Sequence, residues 1–253
     1  MQYIGSNKFD MKNIIKKLSD LYTEQLFFVN ALSIFINPAY FSRKGLLRNL
    51  KKDAPLMTGK LMDFGSGRKP WQSLFTHVSE YIGVDIETSG HDHAYSKIDV
   101  FYNGETLPFE NESFDSIFTS ETLEHVFNPD TILAELNRCL KRGGNLLITI
   151  PFAGNEHEIP YDYGRYTSFG IAYLLKKHGF EVLHIRKTTS FFETICQFFN
   201  TFWIENVFPK YRPVRILLQA ILLGPLNILF ILLNYILPDN QTMPLNLVIM
   251  AKK

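Results

Sequence analysis

Two acidic residues and a pair of glycines set the first chemical expectation. In "LMDFGSGRKPW", residues 61 to 71, Asp63 closes an apolar run and Gly65 and Gly67 follow it. Glycine removes the Cβ that keeps a ligand off the backbone, and a carboxylate at Asp63 accepts hydrogen bonds. About twenty positions on, a second apolar run, "YIGVDIE", ends in Asp85, placed to accept from two ribose hydroxyls. A dinucleotide site asks for a third glycine three positions after the second, to let helix and pyrophosphate approach. Pro70 stands there and has no N–H to offer a phosphate. An adenosine ligand without a pyrophosphate, S-adenosylmethionine, fits these residues better than a nicotinamide dinucleotide.

Two further segments carry reactive side chains. "SETLEHV" supplies Glu121, Glu124 and His125; read as a helix, the four-residue spacing puts Glu121 and His125 on one face. "NEHEIPYDYGRYTS" is dense in polar and aromatic groups, with His157, Asp162, Arg165 and Tyr166 as candidates to shape an acceptor pocket. An ion pair between Asp162 and Arg165 that merely holds the loop is the alternative. "HDH" at 91–93 and "EHE" at 156–158 lack a third ligand at suitable spacing, so both read as surface loop and no metal is expected.

These groups need elements to position them. From residue 59 short apolar runs alternate with helical segments: "KLMDFG", "YIGVDI", "KIDVF", "DSIFTS" and "NLLITIPF" read as strands of a parallel sheet. "NPDTILAELNRCLKRGG" predicts a helix capped by Asn128, opened by Pro129 and stopped at Gly143. "YTSFGIAYLLKKHGF" predicts another between the cap Thr167 and Gly179, leading into the strand "EVLHIR". Residues 9–52 read as helices separated near Pro38; "RKGLLRNLKK" is a basic amphipathic piece, read as a solvated face.

The 253 residues suit one core with appended elements. With 26 basic against 25 acidic residues there is no electrostatic footprint for nucleic acid. Two cysteines give no disulfide framework, and the opening residues lack a secretory pattern, so a cytoplasmic chain is expected. Apolar residues concentrate late: Ile216 to Leu237 carries no charge, a length sufficient to span a bilayer. Gly224 and Pro225 are expected to break this run into a hairpin or interfacial anchor, with Lys210, Arg212 and Arg215 meeting headgroups and Trp203 and Tyr211 at the interface. A substrate lid or dimer interface is the competing reading.

Taken together, "LMDFGSG", "YIGVDI", "TLPFENESFDSIFTSETLEHV", "LNRCLKRGGNLLITIPF", "PYDYGRYT", "KKHGFEV" and the final "LNLVIMAKK" resemble, in order, a class I S-adenosylmethionine-dependent methyltransferase of type 11. The resemblance implies an α/β fold: a seven-stranded Rossmann-like sheet, its last strand antiparallel, with helices on both faces. Residues 1–56 would form an N-terminal helical region and 57–253 the methyltransferase domain, with an apolar insertion at about 190–240. It places the cofactor against Asp63, Phe64, Gly65, Ser66 and Gly67, its ribose on Asp85 and its adenine on Ile86, near Asn103 and Gly104. Asn103 stands where the family often has an acid, and Lys69 where it has a third glycine. Thr119 and Ser120 would flank the sulfonium, and His125, oriented by Glu121, would serve as base for a hydroxyl acceptor; a structural pair is the alternative. The expected acceptor is a small molecule, glycan or lipid-linked group, methylated at oxygen, with membrane contact through 190–240 and an oligomer allowed. A non-catalytic cofactor-binding partner protein is the second reading.

Overall fold

The computed structural model describes residue 22, residues 25–87 and residues 96–253. The "HDH" segment and most of the first expected helix lie outside the described residues. A one-turn helix, Ser33–Ile36, precedes α1 (Tyr40–Asp53), so Pro38 does fall between two helices. Then follow β1 (Gly59–Phe64), β2 (Val78–Ile86), β3 (Val100–Tyr102), β4 (Phe114–Ser120), α2 (Pro129–Cys139), β5 (Leu140–Pro151), α3 (Ser168–Lys177), β6 (Glu181–Lys187) and α4 (Phe191–Phe202). A 25-residue helix, α5 (Arg212–Ile236), and β7 (Asn246–Lys252) complete the order.

The seven strands form one sheet in the order β3-β2-β1-β4-β5-β7-β6. All neighbours are parallel except β7, which runs antiparallel to both β5 and β6. Alternating side chains feed two cores, as the period of a strand requires. Met62, Phe64, Ile117, Leu146 and Ile148 pack under α2 and α3, whereas Leu61, Phe118 and Leu147 pack under α1. Strand order reverses at β1, which pairs with β2 on one side and β4 on the other. In an open α/β sheet, that reversal opens a crevice beyond the strands' carboxyl ends.

Local sequence explains most of the boundaries. The Asn128 side chain accepts from the Thr131 N–H with Pro129 in the first turn, and the Thr167 hydroxyl accepts from the Gly170 N–H. The helix opened by Pro129 ends earlier than expected, at Cys139. Leu140 is already extended, and Gly143, at φ +76°, sits within β5, where its N–H donates to the Lys253 carbonyl. The basic piece of α1 is not simply a solvated face. Leu46, Leu47 and Leu50 are buried in the core under the sheet while Arg48, Lys51 and Lys52 stay exposed.

The apolar run differs from expectation too. Gly224 and Pro225 do not break it: Gly224 is right-handed helical at φ −56°, and α5 runs through as one helix. Proline lacks the N–H of a helical bond, and the wider π-type turn at Gln219–Leu223 absorbs that defect. The buried Asn227 fastens α5 to the body, donating to the Ile34 carbonyl at 2.8 Å and accepting from Asn200 at 2.7 Å. Cys196 contacts the same oxygen at 3.4 Å. It and Cys139 are fully buried, and burial pushes their thiols up to about 12 and about 11.

Gly45 shows how closely α1 meets the sheet. A Cβ there would stand 2.6 Å from the Thr188 carbonyl oxygen and 3.0 Å from its carbonyl carbon, contacts with backbone that cannot swing away. Alanine gains helix propensity of about 1 kcal/mol, so the clash must exceed that to dominate. Gly45→Ala is expected to destabilise the fold by about 2 kcal/mol net, read as a lower urea midpoint at unchanged slope; an unchanged midpoint would contradict the close contact.

Candidate functional site

The crevice beyond β1 and β4 is a cavity of about 910 Å³, within the roughly 300–1,000 Å³ of small-molecule sites. Its floor is the turn after β1. Gly65 has φ +75°, and a Cβ on it would lie 2.2 Å from Thr122 Oγ1, so the turn after β1 touches the turn after β4. Gly67, at φ +46°, would point a Cβ where no described residue lies within 4 Å. Its N–H donates to Asp85 Oδ2 at 2.9 Å, which ties the glycine turn to the end of β2. Asp85 Oδ1 accepts the Ile86 N–H at 2.8 Å, and each carboxylate oxygen keeps a further lone pair for a ligand hydroxyl.

Phe64, Gly65, Gly67, Asp85, Ile86 and Gly104 line this cavity, as do Glu121 and His125. The other expected residues lie elsewhere. Asp63 is buried and turned toward β2, where it accepts from the Tyr81 hydroxyl at 2.7 Å. The alternation of β1 sends its side chain to the opposite face from Phe64. Ser66 is buried beside Gly83, and Thr119 is fully buried in the sheet. The Ser120 hydroxyl meets the Thr149 hydroxyl at 2.8 Å. Asn103 is committed locally: its side-chain oxygen accepts from Glu105 N at 3.0 Å and Thr106 N at 2.9 Å, an Asx turn that occupies the oxygen expected to accept from the adenine amino group. Lys69 holds the left-handed conformation a glycine would take, φ +53°, and its ammonium pairs with Asp99.

The expected Glu121–His125 pair is not assembled. Residues 121 and 122 are not helical, and only a single 3₁₀ turn, Leu123–His125, follows β4. Glu121 adopts φ +52° and accepts from Thr149 Oγ1 at 2.8 Å and Asn246 Nδ2 at 2.7 Å. Burial raises its pKa against the pull of these donors and of Arg43. His125 instead uses Nδ1 on the Tyr161 carbonyl, 2.8 Å away.

His157, Asp162, Arg165 and Tyr166 do not line the cavity; they shape the loop beside it. Arg165 forks onto Asp162 at 2.5 and 2.7 Å and donates to the Asn155 and Gly164 carbonyls. The guanidinium holds the Asp162 carboxyl far below its usual range. Asp162 also accepts from the His157 N–H at 3.0 Å. The loop-holding alternative therefore describes the Asp162–Arg165 pair. Tyr161 and Tyr163, unassigned from sequence, do line the cavity, as do Tyr102 and Glu158. No sequence periodicity marks a loop tyrosine as facing inward, although Tyr102 ends a strand beside Asp85's.

This topology is shared with solved structures. A SAM-dependent methyltransferase from Thermotoga maritima aligns at TM-score 0.51 over 96% of this chain and 100% of its own, at 16% identity. Phosphoethanolamine N-methyltransferase 2 of Haemonchus contortus, in complex with S-adenosyl-L-methionine, aligns at 0.51 over 82% of this chain and 51% of its own, at 19% identity. Those likenesses carry the fold alone. In sequence, the methyltransferase domain family matches residues 62–148. Uncharacterized protein MJ1123 of Methanocaldococcus jannaschii is 30% identical over 166 residues, 60% of this chain and 77% of that one. The ubiquinone/menaquinone biosynthesis C-methyltransferase UbiE of Shewanella baltica is 32% identical over 114 residues, 40% of this chain and 45% of its own length. The chain belongs to the class I S-adenosylmethionine-dependent methyltransferases, and S-adenosylmethionine is its cofactor. The open face at Gly67 and the spare acceptor capacity of Asp85 fit that cofactor.

Asp85→Asn keeps an acceptor for Gly67 but loses the charge. S-adenosylmethionine affinity by calorimetry is expected to fall about 10- to 100-fold with the fold intact. Asp63 gives a pH signature. Burial raises its pKa from 3.8 to about 7, so the folded protein binds a proton that the unfolded chain has released. Its contribution to stability is therefore present below about pH 4 and is lost as pH rises to about 7, by up to roughly 4 kcal/mol. Asp63→Asn should flatten that slope in urea unfolding measured from pH 5 to 8.

Proposed function

We propose that this protein transfers a methyl group from S-adenosylmethionine to an oxygen of a lipid-linked acceptor at a membrane surface. The observation that carries the reading is the face of α5. Of its most apolar 18-residue stretch only 22% is buried, and Leu217, Ile221, Ile228, Leu232 and Tyr235 are exposed at helical spacing. Contiguous exposed apolar surface of this kind marks a partner or a membrane. Asn227 holds the opposite face to the body, and the chain must return from α5 into the sheet as β7, between β5 and β6. An in-plane helix satisfies both demands, and a bilayer span satisfies neither. Lys210 and Arg212 are exposed at its start, suited to anionic headgroups.

The bound cofactor supplies an already activated methyl group, so the protein's part is to align the acceptor and exclude water. Gly65, Gly67 and Asp85 form the nucleoside end of the cavity; Glu121, His125, Tyr161 and Tyr163 form the wall left for the acceptor. The curated relative named as a C-methyltransferase of ubiquinone and menaquinone biosynthesis supports a hydrophobic acceptor and sets carbon beside oxygen as the acceptor atom.

Two measurements test this. Extracts supplied with methyl-labelled S-adenosylmethionine should place label in the lipid fraction only when the protein is present, and an alkoxy product would mark oxygen as the acceptor atom. Ile221→Glu combined with Leu232→Glu should abolish co-flotation with anionic vesicles while leaving S-adenosylmethionine binding unchanged. Label found only in water-soluble products, or unaltered flotation, would overturn the lipid reading.

A further inference from the structure

One cluster beside the cavity is not explained by cofactor binding. Glu124 is fully buried, yet among the described residues neither of its carboxylate oxygens has a hydrogen-bond partner. His125 Nε2 is likewise buried without one among the described residues. Leaving such groups bare in the interior is costly, and more so for a charge. The loop after β5 brings His157 against them, its ring 4.7 Å from that of His125 and inclined at 81°. One donor atom from each of Glu124, His125 and His157 lies within 4.8 Å of the others.

The surroundings select which atoms are offered. His125 Nδ1 is engaged by the Tyr161 carbonyl at 2.8 Å, which turns Nε2 inward, 3.7 Å from Glu124 Oε1. His157 Nδ1 lies 3.2 Å from Asp162 Oδ2, itself fixed by the Arg165 fork; an Nδ1–H held by that carboxylate would make Nε2 the ligating nitrogen. A ring nitrogen held by a carbonyl or carboxylate while the other faces a cavity is how proteins orient histidine toward a metal. Glu158 Oε1 stands 3.7 Å from His125 Nε2, beside a potential fourth position. Donors around a tetrahedral ion with bonds of about 2.1 Å are about 3.4 Å apart, so atoms now within 4.8 Å of one another would close by up to about 1.4 Å on binding.

We propose that Glu124, His125 and His157 bind one divalent transition-metal ion, of the zinc or ferrous class, at the acceptor wall of the cavity. Two imidazoles and one carboxylate suit such ions better than magnesium or calcium, which prefer all-oxygen shells. His125 lines the cavity, so an open coordination position would be accessible to an acceptor oxygen. That last role rests on the methyl-transfer reading; the ion site does not. It also accounts for the "EHE" segment, read from sequence as plain loop: the third ligand is distant in sequence and adjacent in space.

The test uses the untagged full chain, stripped with a chelator and titrated with Co²⁺, without cofactor or acceptor. One saturable equivalent with visible d–d absorption is expected, displaced by Zn²⁺ and not by equimolar Mg²⁺. Glu124→Gln and His157→Ala should weaken Co²⁺ at least about 10-fold, while His178→Ala, remote on α3's end, should not. If Glu124→Gln fails to fold, His157→Ala decides, because its side chain is 45% exposed and removing it opens no core cavity. No saturable band, or equal binding by His157→Ala, would overturn the site. Calorimetry with S-adenosylmethionine on the same stripped protein reports separately on the methyltransferase reading.

Discussion

The sheet is closed by its last strand, and the rest of the structure answers to that. β7 pairs on both edges, and Leu247 to Ala251 are at most 1% exposed. The chain must therefore leave the sheet after β6, run through the apolar helices, and come back between β5 and β6. That return tethers α5 to the body at both ends. It also reaches the site: Asn246, the first residue of β7, donates to Glu121 Oε2 at 2.7 Å and accepts from the Ser42 hydroxyl at 2.8 Å. The apolar insertion and the cavity wall are thus joined by one strand end.

Backbone strain collects around this wall. Glu121 and Glu158 lie at φ +52° and +53°, where residues with a Cβ each sacrifice on the order of 1 kcal/mol or more. Such positions persist when their surroundings over-determine them. Glu121 meets that condition, because its N–H donates to the Thr149 carbonyl at 2.9 Å while its carboxylate is held from two strands. The left-handed turn shifts the chain out of line with β4 and lets Glu124 drop into the interior as His125 faces the cavity. A helix starting directly at residue 121 would have paired 121 with 125 instead.

Much of the architecture was legible in the sequence because it rests on periodicity and on caps. Each strand was visible as an apolar run, Asn128 and Thr167 marked helix starts, and the spacing from Gly65 to Asp85 announced the nucleoside site. What escaped depends on contacts between segments distant in the chain. Asp63 lay in the right motif, but strand alternation turns it to Tyr81 on the other face. Asn103 had the right chemistry, yet its own loop consumes its oxygen. The continuity of α5 across Gly224–Pro225 depends on a π turn that no residue pattern announces. The meeting of His157 with Glu124 and His125 depends on the path of the loop after β5, which is fixed by Arg165 rather than by any local propensity.

The two thiols occupy different layers of the molecule. Cys139 sits between α2 and the sheet, and Cys196 sits beneath the apolar cap, touching Asn227. With both ionisations suppressed by burial, an alkylating reagent meets almost no thiolate in the closed protein. Each sulfur becomes a clock for its own layer: modification of Cys196 times the lifting of the cap, and modification of Cys139 times the opening of the sheet. A cap that peels away while the sheet holds would leave the two clocks out of step.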